Sequence, residues 1–247
     1  MSSLTDKVCI VAGAGKGVGR AAACEFAKAG ASVALVARRK EVLDETRALL
    51  ERTGARSLAI PADLSSEQAA EKITRKVVEH FGRIDGLFCC TGAFLGGDLA
   101  EMNADKIESL MRSNFSAQYY ATKAAAHFMK DRKSGAIVLT SAVFGTAFSA
   151  RKLSAYSATK AACLSAALSM AADLRDFNVR VNVICPGTVS HHFDPGRRPK
   201  ERILGKGPAW PEDVARAALF LLSDDAFWIS GATLNVDGGF SVTRDAW

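Results

Sequence analysis

Val8-Cys9-Ile10-Val11-Ala12-Gly13-Ala14-Gly15-Lys16-Gly17-Val18-Gly19 is the stretch on which the fold turns. Its first five residues are apolar without alternation, the pattern of a strand buried on both faces. Glycines at 13, 15, 17 and 19 follow, Arg20 to Ala29 has helical composition, and Gly30 closes that run. Strand, glycine loop and helix in direct succession are the setting in which glycines serve a pyrophosphate. Without side chains the main chain can approach closely, and a helix start offers unpaired N–H groups and the positive end of its dipole. Gly13, Gly15, Lys16, Gly17, Val18 and Gly19 are the candidate cradle; the alternative is a tight turn with no ligand.

Working outward, Ser32–Ala37 reads as the second strand and ends in Arg38-Arg39. In a dinucleotide-binding fold an acid at this point accepts hydrogen bonds from the adenosine ribose. Here two arginines follow Ala37, so a 2′-phosphate meets attraction, and Lys16 can converge on it. NADP(H) is therefore favoured over NAD(H). The other use of Arg38 and Arg39 is as a solvated pair opening the next helix.

The remaining elements alternate. Helices are expected over 41–52, 67–81, 154–176 and 211–223, and strands over 56–60, 84–90, 135–140, 179–185 and 232–236. Residues 103–130 read as one long helix or two in series, with Asn114 marking a kink or a polar contact, since interior Asn is a poor helix former. Asp63 either meets the adenine amino group or caps a helix, a task that Ser65 or Ser66 suits better. Seven strands alternating with helices imply a single α/β domain over 1–247 of the Rossmann type. That is a doubly wound, seven-stranded parallel sheet with helices on both faces and its ligand at the strands' C-terminal ends. Residues 188–210 lack periodicity and are expected to be a substrate lid loop.

Composition narrows the function classes. The chain has 247 residues, 49% hydrophobic and 23% charged, enough for one sizeable core. Its net charge of +6 is scattered rather than massed, which disfavours nucleic acid as a partner. No apolar run reaches membrane-spanning length. The six cysteines show no zinc-ligand spacing, so free thiols in a reducing, cytoplasmic setting are expected and no metal. His191 and His192 are adjacent and read as loop surface. Cys89-Cys90 is either a redox pair or two small apolar residues. Arg197, Arg198, Lys200, Arg202 and Lys206 make the lid basic, suited to an anionic substrate or simply solvated.

Tyr156 and Lys160 stand four apart in an Ala/Ser/Leu-rich helix, so both leave one face about a turn apart. A nearby ammonium favours phenolate, and such a pair can move a proton.

With these residues in place, the chain resembles the short-chain dehydrogenase/reductase family over essentially its whole length. The resemblance is carried by Gly13-x3-Gly17-x-Gly19, Asp63, Asn114, Tyr156-x3-Lys160, Pro186-Gly187 and Val236-Asp237-Gly238-Gly239. It implies an oxidoreductase interconverting a carbonyl and a secondary alcohol. Tyr156 would be general acid or base. Lys160 would bind the nicotinamide ribose and lower the Tyr156 pKa, and Asn114 would hold a water in a proton relay. Leu64, Gly92, Pro186, Gly187 and Thr188 would line the cofactor, with Lys16 and Arg38 on its 2′-phosphate. Relatives pair through two long helices and the last strand, which implies a homotetramer or a homodimer.

Three departures stand out. Ala12 replaces a usual Thr. Cys89-Cys90-Thr91-Gly92 replaces Asn-Asn-Ala-Gly, and Cys89 cannot copy an amide's hydrogen bonds. The serine that holds the substrate carbonyl aligns with Ala142, leaving Ser141 one residue early as the substitute. The alternative reading is therefore a nucleotide-binding protein with weak or no turnover.

Overall fold

The computed structural model describes residues 2–146, 148–190, 193 and 203–243. Seven parallel strands form one sheet: β1 (Val8–Ala12), β2 (Ser32–Ala37), β3 (Ser57–Pro61), β4 (Gly86–Cys89), β5 (Gly135–Thr140), β6 (Val179–Pro186) and β7 (Thr233–Val236). Their spatial order is β3-β2-β1-β4-β5-β6-β7. The order reverses between β1 and β4, where an open parallel sheet leaves a crevice beyond its C-terminal ends. Every candidate site segment follows the C-terminal end of one of these strands or lies on a helix beside them.

The unalternating strands are explained by burial on both faces. In β1, Val8, Ile10 and Ala12 join the core against α3 (Glu67–Phe81), α5 (Ala117–Arg132) and α6 (Ser154–Leu174). Cys9 and Val11 join the core against α1 (Gly17–Lys28), α2 (Lys40–Glu51) and α7 (Pro211–Leu222). The expected fold class is thus realised in one α/β domain.

Boundaries shift for local reasons. α1 starts at Gly17, three residues before the expected Arg20, because the last glycines form its first turn. β4 starts at Gly86 because the Asp85 carboxylate turns back to accept from Val8 N at 2.9 Å and from Arg83. Ser66 caps α3 and Gly82 ends it with a left-handed φ of 81°. The 103–130 segment holds α4 (Ala104–Leu110), a π-helical turn over Met111–Ser116, and α5. Asn114 sits in that wide turn, the kind of bulge found at functional sites.

Among the described residues, no helix is long and apolar enough to cross a membrane, and no three metal-binding side chains stand together. His191, His192, Arg197, Arg198, Lys200 and Arg202 lie outside the described residues. The stem of the 188–210 segment is described: Ala209 N donates to Thr188 O and Ser190 N to Ala209 O, each at 2.9 Å.

Candidate active site

The glycine loop closes on itself so tightly that side chains have no room. A methyl group on Gly19 would come 2.1 Å from the Gly13 carbonyl oxygen, and one on Gly13 would meet the Cys90 carbonyl at 2.7 Å. Gly13 also has φ +95°, a conformation that glycine alone adopts cheaply. Gly13 N and Ala14 N are spent on Val36 O, which fixes the loop to β2. From behind, Arg20 grips the Gly15 carbonyl with Nη2 at 2.7 Å and Nε at 3.1 Å, while Thr46 donates to Ala14 O at 2.9 Å. Neither residue was expected from the sequence; an arginine directly after the glycine run was the available signal. The first turn of α1 has no side-chain cap, so its N–H groups remain for a ligand.

At the end of β2, Arg38 and Arg39 are exposed, as is Lys16, and none forms an ion pair with a described residue. Asp63 is also exposed. Its Oδ1 accepts from Ser65 N at 2.9 Å, and that hydrogen bond, with Arg38 nearby, holds the carboxyl below its usual range. Asp63 therefore shapes its own turn, and the capping task falls to Ser66. Leu64 is buried beside it.

Across the crevice, Asn114 is fully buried and tethers the exit of β4. Its Oδ1 accepts from Ala93 N at 2.6 Å, and its Nδ2 donates to Ala93 O and to Thr159 Oγ1 at 3.0 Å each. The Asn114 carbonyl is occupied by Gln118 Nε2 at 2.9 Å and Cys163 Sγ at 3.2 Å. Both of its lone pairs are engaged, and the Asn114 side chain positions the β4 exit against α6.

Gln118, which sequence reasoning missed, is a second buried amide of the site. It accepts from Thr140 N at 3.0 Å and donates to Thr140 O at 2.9 Å, clamping β5 to α5. A lone buried amide one turn after Asn114, in an alanine-rich helix, was its only trace. Cys89 and Cys90 point to opposite cores, and all six cysteines are free, so these two fill space and are not a redox pair.

Tyr156 and Lys160 share a face of α6, as the spacing requires. Lys160 Nζ donates to Thr140 O at 3.1 Å and lies 5.9 Å from the Tyr156 ring centre. Burial pushes the Lys160 pKa down and the Tyr156 phenol up to about 12. The expected lowering of Tyr156 by Lys160 is thus corrected: the ammonium is committed to a carbonyl and burial governs the phenol. A methyl group on Gly92 would fall 3.0 Å from Asn114 Oδ1 and 3.4 Å from Lys160 Nζ, so Gly92 keeps the space between them open. Beside it, Thr91 Oγ1 is buried without a protein partner.

Ser141 requires a second correction. Its hydroxyl donates its single proton to the Lys160 carbonyl at 2.7 Å and is buried. It ties β5 to α6 and has no proton left for a substrate oxygen. Ala142, in extended backbone with φ −161°, occupies the next position and offers no donor. Beyond β6, Gly187 lies against Asp237, where a methyl group would come 2.9 Å from its Cβ, and Thr188 is exposed at the crevice end of β6. Pro186 is buried at that strand's end.

These residues fit a dinucleotide. Among the described residues, the glycine cradle excludes Cβ atoms, a helix start without a side-chain cap faces it, cations without an ion pair stand at one end, and Gly92 with the unpartnered Thr91 hydroxyl stands at the other.

Comparison with known proteins agrees. The family model described as enoyl-(acyl carrier protein) reductase matches residues 13–241. Meso-2,3-butanediol dehydrogenase of Serratia marcescens is 34% identical over 251 residues, covering 96% of each chain. The crystal structure of levodione reductase superimposes with a TM-score of 0.89 at 27% identity, covering 96% of this chain and 98% of that one. An NAD+-bound xylitol dehydrogenase gives 0.87 at 26% identity, covering 96% and 99%.

Proposed function

The chain belongs to the short-chain dehydrogenase/reductase family, and from that premise we propose that it is an NADP(H)-dependent oxidoreductase interconverting a carbonyl and a secondary alcohol. One observation carries the reading: the Tyr156 ring stands 5.9 Å from Lys160 Nζ on one face of α6, and that ammonium lies beside Gly92.

Gly13, Gly15, Gly17, Val18 and Gly19 would hold the pyrophosphate, and Gly92, Pro186, Gly187 and Thr188 the nicotinamide end. When bound, the nicotinamide supplies or accepts the hydride. Tyr156 does the proton work of this chain. In reduction its hydroxyl donates to the substrate oxygen; in oxidation the phenolate takes the proton back. Lys160 would bind the nicotinamide ribose, while Asn114 and Gln118 hold the β4 exit and the β5 end on which Lys160 rests. Lys16, Arg38 and Arg39, exposed and without an ion pair among the described residues, support a 2′-phosphate and hence NADP(H). The exposed apolar Tyr119 and Leu168 on α5 and α6, and Trp228 near the last strand, support assembly as a homotetramer or homodimer. Free cysteines support a reducing, cytoplasmic setting.

Replacing Tyr156 by Phe tests the central role. Turnover of ketones is expected to fall by about 10²–10⁴-fold with cofactor affinity retained; unchanged turnover removes Tyr156 from the mechanism. Arg38→Asp is expected to weaken NADPH more than NADH, and equal affinities would remove the phosphate site. The engaged Ser141 and the donor-free Ala142 favour one competing reading, a nucleotide-binding protein with little turnover. It predicts tight cofactor binding and no Tyr156-dependent reduction of any ketone.

A further inference from the structure

Phe94 is the feature that the proton-delivery machinery leaves unused. Its ring packs edge-on to Tyr156, with centroids 5.0 Å apart and planes at 67°, yet 68% of the residue is exposed. An aromatic side chain that touches the proton donor and is otherwise uncovered marks an apolar contact surface.

The backbone around it is anchored on both sides. Ala93 is held at N and O by the Asn114 side chain, and Gly97 N donates to Lys152 O at 2.9 Å. Gly96 lies against Leu153. Between the anchors, Phe94 and the 37% exposed Leu95 project from the uncharged segment Thr91-Gly92-Ala93-Phe94-Leu95-Gly96-Gly97. The adjacent cation Lys152 is paired with Asp98 at 3.2 Å.

Among the described residues, the polar side of the site is correspondingly thin. Ser141 has given its proton to Lys160 O, and Ala142 has none to give, so Tyr156 supplies the side-chain hydroxyl for a substrate oxygen. Among the described residues, orientation then falls to apolar contact.

We infer that the substrate is an uncharged ketone, or its secondary alcohol, whose carbonyl is carried on a flat apolar ring laid against Phe94. The inference rests on the carbonyl-reductase reading and names its substrate class.

The test compares wild type with Phe94→Ala and Phe94→Leu on 2-tetralone, butan-2-one and a 2-oxo acid, with NADPH and with NADH. Wild type is expected to prefer the ring ketone in kcat/KM by at least about tenfold. Phe94→Ala is expected to erase about tenfold of that preference through KM, leaving butan-2-one within about twofold, with Phe94→Leu between. Equal kcat/KM for ring and aliphatic ketones, preference for the 2-oxo acid, or an equal loss in kcat for both ketones in Phe94→Ala overturns the inference. Calorimetric titration of 2-naphthol separates the two levels. Ring binding that Phe94→Ala weakens, without turnover of any ketone, keeps the apolar surface and rejects the reductase reading. Turnover of small ketones without ring binding does the reverse.

Discussion

The cofactor side and the catalytic side of the crevice are built by different means. From Gly13 to Gly19 the shape is set by main chain: carbonyls face Arg20 and Thr46, and any Cβ at Gly19 collides with Gly13 O. From Gly92 to Lys160 the shape is set by buried side-chain amides and hydroxyls, with Asn114, Gln118, Thr159 and Ser141 each bridging two segments. A site made of backbone tolerates almost no change in residue type. A site made of hydrogen-bonded side chains depends on which polar groups are paired, as Gln118 and Thr140 are.

The contrast ranks what substitutions do. The largest loss is expected at Gly19. Adding one methyl there is expected to weaken cofactor binding by at least about 100-fold, on the order of 3 kcal/mol; calorimetry with NADPH checks it, and near-normal affinity would mean that the loop yields. Next comes Ala142→Ser, which adds a donor where none stands. It is expected to raise kcat by about tenfold or more, since a preorganised donor of this kind is worth about 10²–10³. A fall in kcat, with the fold intact by circular dichroism, would mean that the site is complete as it is. Smaller is Gln118→Leu, which orphans the buried Thr140 N–H and leaves its carbonyl to Lys160 alone. It is expected to lower unfolding stability by about 1–3 kcal/mol in urea titration. A loss below about 0.5 kcal/mol, within the range of a surface change, would show that β5 does not depend on the clamp.

The same contrast explains what could be read from the sequence. The strand–glycine–helix run, the alternation of seven strands with helices and the helix bearing Tyr156 and Lys160 were legible because periodicity and glycine positions encode them directly. Asn114 was legible as an oddity, and the π-helical turn is its cause. Gln118 and Arg20 were not, because a buried amide or a loop-gripping guanidinium looks in sequence like any polar residue on a helix. Ser141 was misread because its neighbour's vacancy suggested a substitute. Only the structure shows its proton given to Lys160 O. The shift of Tyr156 was misjudged because spacing brings Lys160 onto the same face but says nothing of what else the ammonium binds.

The central claim is that Tyr156 is the proton donor and keeps its proton through the neutral range. Burial raises its pKa to about 12, so the phenol is present at every pH below that, and the phenolate fraction grows tenfold per pH unit toward it. The decisive measurement is kcat/KM for alcohol oxidation against pH. It is predicted to climb with a slope near one past pH ~10, the ordinary phenol value, and to lose that slope in Tyr156→Phe. A plateau well below pH ~10 in the wild-type protein, or the same slope in Tyr156→Phe, would contradict the account.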